Sequence, residues 1–160
     1  MRFDIIIRKS NINDAEGRGY VHHQSWIETY TGLVSEEIMR QRSLKRSIQI
    51  AHENPENTYV AIINNKIVGF ATYAKSRDQD LKDAGEIMAI YVLKDYQGFK
   101  IGKRLMQACY KELSEHNTLL LWVMENNRNT VKFYESEGFK HDGSSKIIYE
   151  QRVIRMVKTA

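Results

Sequence analysis

The chain has 160 residues, of which 42% are apolar and 28% charged, and a formal net charge of +4. This is the length of one domain, 1–160, with enough apolar residues to bury a core, and no apolar run is long enough to span a bilayer. A single cysteine, Cys109, excludes an internal disulfide and suits a reducing cytoplasm, and the modest positive charge hints at an anionic ligand without implying nucleic acid.

The N-terminal stretch MRFDIIIRKSN is too short and too charged for a signal peptide, and residues 4–8 are expected to form a strand. Asn13 with Glu16 has the spacing of a capping box and predicts a helix running to about Tyr30. Gly17 and Gly19 predict irregular first turns in it. Ser35, followed by Glu36 and Glu37, starts a second helix that ends before the only proline, Pro55. TYVAII and KIVGFATYA flank Asn64-Asn65 and read as a hairpin with a type I′ turn.

The charged SRDQDLKDAG reads as a loop, and residues 86–93, apolar and β-branched, as a largely buried strand. Ile101, Leu105, Cys109 and Leu113 recur every fourth residue, the mark of an amphipathic helix. TLLLWV suits a buried strand, NRNTVKFYESEGF a helix ended by Gly138, and residues 139–157 a final hairpin. The order is β-α-α-β-β-β-α-β-α-β-β, an α/β domain on a mixed sheet.

The connection YQGFKIGK lies where a buried strand turns into a helix, so free N–H groups and the positive end of the helix dipole favour an anion there. A P-loop does not fit: three residues separate Gly98 from Gly102, and Arg104 follows Lys103. The G-x-G-x-x-G of a dinucleotide fold is absent. A plain strand-to-helix turn with solvated lysines remains the alternative. The stretch resembles the acetyl-CoA motif of the GNAT N-acetyltransferase superfamily, Q/R-x-x-G-x-G/A after an apolar strand. Gln97 and Gly102 match its ends, while Lys100 replaces its first glycine, where an ordinary negative φ would tolerate a lysine. A second segment, LWVMENNRNTVKFYESEGF, is similar to the family's other strand–helix unit, with Asn127, Phe133, Tyr134, Gly138 and Phe139 in register. Asn127, Val131 and Tyr134 share one helix face by spacing. The resemblance covers residues 58–139 well and the whole length loosely.

The resemblance implies a single-domain fold whose mostly antiparallel sheet has splayed central strands, with acetyl-CoA as cofactor. It would lie on Gln97, Gly98, Phe99, Lys100, Ile101, Gly102 and Lys103, on the main chain of Ile90, Tyr91 and Val92, and along Asn127 and Tyr134. Lys100 and Lys103 would add charge near its phosphates. Tyr134 matches the family's general acid for the leaving thiolate, and Glu86, on the same nominal strand face as Met88 and Ile90, the general base of the histone-acetylating branch. Each has a plainer reading: Tyr134 as a packed helix tyrosine, Asn127 as an N-cap, Glu86 as a solvated strand-end charge.

HQSWIETYTGLVSEE, residues 23–37, resembles the first-helix region that walls the acceptor site, where Trp26 and Tyr30 would pack a substrate chain and Glu28 would attract an ammonium. Trp26 and Tyr30 equally suit a core. The five histidines show no metal spacing, and Cys109 belongs to its helix's inner face, so direct transfer to an amine in a ternary complex is expected. RQRSLKR, residues 40–46, reads as a solvated helix face. The expected acceptor is a small-molecule amine or polyamine rather than a peptide N-terminus, with no nucleic acid or membrane partner and a homodimer left open. The alternative is a non-catalytic acyl-CoA-binding module.

Overall fold

The computed structural model describes residues 4–160, so the first three residues of the expected N-terminal strand stretch lie outside the description. Seven strands form one sheet in the order β1-β2-β3-β4-β5-β7-β6. They are β1 (Ile6–Lys9), β2 (Thr58–Ile63), β3 (Lys66–Lys75), β4 (Gly85–Val92), β5 (Thr118–Met124), β6 (Lys140–Ile148) and β7 (Gln151–Thr159). The helices are α1 (Ala15–Tyr30), α2 (Glu36–Arg40), α3 (Leu44–Glu53), α4 (Ile101–Glu112) and α5 (Arg128–Ser136). The chain divides into two compact units, one from residues up to Thr72 with Ala89–Lys111, the other from Tyr73–Met88 with Glu112–Ala160.

In the first unit β1 pairs antiparallel with β2, and β2 with β3 through Asn64 and Asn65, whose φ of 49° and 63° are those of the expected type I′ turn. The helix start lies earlier than Asn13 and Glu16 suggest. Asn11 caps a 3-10 turn, Ile12–Asp14: its side chain accepts from the Asn13 N–H at 2.9 Å, and Asp14 accepts the Asn11 N–H at 2.8 Å. Arg8 grips the same Asp14 carboxylate through two hydrogen bonds, which holds that carboxyl below its ordinary range.

Two other expectations change. The segment between Ser35 and Pro55 forms two helices instead of one, because Ser43 caps α3 by accepting the Arg46 N–H at 3.0 Å while Ser35 caps α2. The element order therefore carries three helices after β1. The expected solvated face RQRSLKR is interrupted at this break, and Arg42 there is half-buried. Gly17 and Gly19 do not loosen α1, which is helical from Ala15. They let neighbours approach: a Cβ on Gly19 would lie 2.5 Å from the Cα of Ile48 in α3, and one on Gly17 would lie 2.8 Å from the Ile67 side chain. Val21, Val60, Val68, Ile101, Leu105 and Met106 are fully buried in this unit.

In the second unit residues 85–87 of β4 pair in parallel with 119–121 of β5. β5 then pairs antiparallel with β7 along its whole length, and β7 with β6. Among the described ladders the β4–β5 contact ends at Ile87↔Leu121, although β4 continues to Val92 and β5 to Met124. Leu120, Leu121, Phe139 and Met156 are fully buried, and α5 ends at Gly138 with φ 97°, where the Phe139 N–H donates back to the Tyr134 carbonyl.

Glycine to alanine within a helix ordinarily adds about 0.5–1 kcal/mol of stability. At Gly19 the sign should reverse, because the new methyl group meets backbone instead of solvent. Gly19→Ala should lose about 1–3 kcal/mol in urea unfolding. A gain would mean that α1 and α3 can move apart at no cost.

Candidate active site

The strand-to-helix connection is built by backbone. After Val92 the chain makes a 3-10 turn, Lys94–Tyr96, and Gln97 donates through Nε2 to the Val92 carbonyl at 3.0 Å, tying the loop to the end of β4. Gly98 has φ 88°, and a Cβ there would meet nothing within 4 Å, so the loop surface is bare at that point. Lys100 has φ 64°. The expected negative φ is therefore wrong: lysine adopts the left-handed conformation suited to the motif's glycine, at a cost of about 1–2 kcal/mol. Its carbonyl accepts the Arg104 N–H at 3.1 Å. The N–H groups of Ile101, Gly102 and Lys103 thus precede the helix's own ladder and are available to a ligand. The side chains of Lys100 and Lys103 are exposed, Phe99 and Gly102 are half-buried, and Ile101 is core.

Ile90, Tyr91 and Val92 lie in the part of β4 beyond its ladder with β5, and all three are half-buried. Of the three expected main-chain contacts, Val92 already has its carbonyl used by Gln97. Gly69 of β3 supports this stretch: a Cβ on it would lie 2.9 Å from the Tyr91 carbonyl oxygen. The same unit carries Trp26 and Tyr30 on one face of α1, with ring centroids 5.1 Å apart and Trp26 buried. Glu28 lies exposed, two positions from Trp26 and so on another side of the helix, where it accepts from Gln24 at 3.1 Å.

His22, given no role from sequence, stacks on Tyr91 at 5.2 Å and meets Phe70 edge-on at 6.1 Å. Its Nε2 is 2.9 Å from Nη2 of Arg42. Guanidinium only donates, so Nε2 is the acceptor and the ring is neutral. Burial, and then the charges of Arg42 and Arg18 with His23, lower the His22 pKa from 6.5 to about 4, consistent with that state.

The second unit holds the remaining residues. Glu86 is 1% exposed, so the solvated strand-end reading fails. The Arg77 backbone N–H donates to Oε1 at 3.1 Å and the Arg77 guanidinium to Oε2 at 2.8 Å. Each carboxylate oxygen keeps a lone pair beyond these bonds. Arg77 is held in turn by its sequence neighbours. Arg155, buried on β7, binds Asp78 at 3.1 Å, Asp80 at 2.7 Å and Asp142 at 2.7 Å, and Trp122 Nε1 donates to Asp78 at 3.0 Å. The loop SRDQDLKDAG is thus pinned by one cation with three carboxylate partners, which no local sequence signal announces.

Tyr134 is buried on α5, 6.1 Å edge-on from Phe139 and 5.5 Å from Phe133. Asn127 occupies the N-cap position of α5, but its side chain makes no capping bond, so its amide is not spent on the helix. Cys109 is buried, and among the described residues no three His, Cys, Asp or Glu side chains group to hold a metal ion.

The family model described as "Acetyltransferase (GNAT) family" matches residues 21–139. The chain belongs to that family. This GNAT protein is 28% identical over 158 residues to a spermidine N(1)-acetyltransferase of Thermoplasma acidophilum, across 90% of this chain and 95% of that one. It is 27% identical over 124 residues to an uncharacterized N-acetyltransferase of Archaeoglobus fulgidus, across 74% and 84% of the two chains. Among solved structures, a PaiA N-acetyltransferase of T. acidophilum in complex with coenzyme A superposes with a TM-score of 0.77 at 23% identity, across 98% of this chain and 99% of that one. The family match makes this GNAT chain an acetyltransferase.

The loop conformation can be tested without a ligand. Lys100→Gly relieves the positive-φ cost while adding backbone freedom to the unfolded chain, so a net gain of about 0.5–1 kcal/mol is expected in denaturant unfolding. A loss of stability would place the lysine side chain, rather than the backbone, in control of the loop.

Proposed function

We propose that this protein transfers an acetyl group from acetyl-CoA directly to the primary amine of a small molecule within a ternary complex, with residues 1–160 acting as one domain. The observation that carries the reading furthest is the Lys100 backbone. A residue that prefers negative φ is held at 64° in the position of the motif glycine, so the fold maintains a phosphate-cradling turn at an energetic cost. The bare surface at Gly98 and the leading N–H groups of α4 fit a pyrophosphate. Bound acetyl-CoA would supply a thioester carbonyl open to attack by an amine.

The chain's own groups then have three tasks. Main chain at residues 90–92 orients the acetyl arm, and Asn127 and Tyr134 are the further cofactor contacts that the family resemblance implies. Glu86 accepts the proton of the incoming ammonium, directly or through water, using the lone pairs that Arg77 leaves. Tyr134 gives its phenolic proton to the departing sulfur, and the second proton shed by the acylated nitrogen restores the phenol through solvent. Trp26 and Tyr30 pack the acceptor. The names of two relatives, a spermidine acetyltransferase and a probable spermine N(1)-acetyltransferase of Bacillus subtilis subsp. natto at 31% identity over 84 residues, favour a small amine over a peptide. A catalytically silent acyl-CoA binder is the competing reading. Acetyl-CoA turnover over a panel of amines separates the two, since that reading predicts binding without CoA release.

Tyr134→Phe removes one hydroxyl and should lower kcat by about 10²–10⁴ with acetyl-CoA affinity retained. Unchanged turnover, with product release shown not to limit the rate, would return Tyr134 to the core. Glu86→Gln should be slow near neutrality and recover as the pH approaches the acceptor's own pKa, where free amine needs no base. Wild-type activity at every pH would remove Glu86 from the mechanism, and equal loss of activity and cofactor binding would make it structural.

A further inference from the structure

Arg42 is an unusual cation. It lies at the break between α2 and α3, half-buried, with its guanidinium 6.0 Å from the Trp26 ring and one hydrogen bond, to His22. Its Nε is buried and has no hydrogen-bond partner among the described residues. Among the described residues no carboxylate lies within ion-pair distance of it, in contrast to Arg8, Arg77, Arg152 and Arg155. A second guanidinium on the same face of α1, that of Arg18, is buried against Phe70 and spends its bonds on the Asn54 and Ala51 carbonyls. Partly desolvated positive charge without a counter-ion is costly, and the cost falls when an anion arrives.

The placement of this charge indicates what brings the anion. Arg42 bonds His22, and His22 stacks on Tyr91, in the β4 stretch to which the proposed function assigns the acetyl arm. Trp26, over which Arg42 lies, is on the α1 face expected to pack the acceptor. The unsatisfied charge therefore belongs with the acceptor side chains, one hydrogen bond and one ring contact from β4. A guanidinium edge with unused donors matches a planar carboxylate in two-point fashion.

We infer that Arg42, framed by His22 and Trp26, is the subsite for a carboxylate carried by the acceptor, so that the preferred substrate is an amino-acid-like amine rather than a polyamine. This rests on the acetyltransferase reading above and narrows it. His22 is a positioning residue: as a neutral acceptor it orients the guanidinium without adding a competing positive charge. A polyamine would bring further cations to a region that already holds Arg18 and Arg42 without anionic compensation at Arg42, which penalises it.

The test pairs amines that differ only in the anion. CoA release from acetyl-CoA is followed with glycine, β-alanine, 4-aminobutyrate and 5-aminovalerate, with the amide of each, with O-phosphoethanolamine, and with spermidine. At least one amino acid should exceed its amide about tenfold or more in kcat/KM, the range expected for a charged hydrogen bond. Arg42→Gln should erase that preference through KM, Arg42→Lys should keep part of it, and the KM for acetyl-CoA should not move. Preference for amides or spermidine, or a preference for the acid that survives Arg42→Gln, overturns the carboxylate subsite while leaving acetyl transfer intact. Preference for O-phosphoethanolamine over every carboxylate overturns the assignment to a carboxylate. If no amine of the panel is acetylated, glutarate is titrated into the CoA-saturated protein and its Arg42→Gln variant. Binding confined to the wild type supports the subsite, and no binding overturns it. Failure to bind CoA would count against the acetyltransferase reading, and glutarate titrated into the free protein would still decide the subsite.

Discussion

A buried backbone has to have its N–H and C=O groups paired, and β4 gives up one of its two partners halfway along. Residues 85–87 are bonded to β5, while the stretch to Val92 leaves that ladder. The other edge stays attached: the Leu93 N–H donates to the Val68 carbonyl at 2.9 Å, and Gly69 lets the Tyr91 carbonyl come close. The strand is held in place on one side and has main-chain groups to offer on the other. Everything proposed for the reaction depends on that half-paired strand, because an acyl carbonyl is best polarised by donors that are fixed before it arrives.

The loop that follows obeys the same economy. Gln97 is spent on the Val92 carbonyl, so the side chain at the head of the motif fixes the loop instead of reaching outward. Gly98 and Lys100 both take positive φ, and only one of them is glycine. A strained lysine persists where the surroundings over-determine its conformation. Here the constraints are the tie to β4 and the first turn of α4, which begins when Arg104 bonds the Lys100 carbonyl.

Much of the fold was legible because it is written in periodicity. The strands, α1, α4, α5 and both hairpins lie where alternation, four-residue spacing and turn residues put them. The departures are contacts between segments remote in sequence. Gly19 reads as a helix breaker until Ile48 is seen against it, and Ser43 becomes a cap only because the chain turns at Arg42. The site divides in the same way. The loop 97–103 and the α5 unit carry local motifs and could be named in advance. Arg77 on Glu86, Arg155 on three aspartates, and Arg42 on His22 could not, since charge pairing leaves no spacing signal. Glu28 shows the converse: it shares a short stretch with Trp26 and Tyr30, yet the helix turns it to another side.

The central claim is that main chain, at the half of β4 beyond its ladder with β5 and at the start of α4, holds the acetyl donor. Amide hydrogen exchange measured residue by residue, with and without acetyl-CoA, tests it most directly. Slowed exchange concentrated in residues 88–92 and 98–103 is the predicted result, with Arg42 and α1 largely unaffected until an acceptor is added. Saturating acetyl-CoA that leaves both stretches exchanging at their free rates, or that protects a different part of the chain, would contradict it.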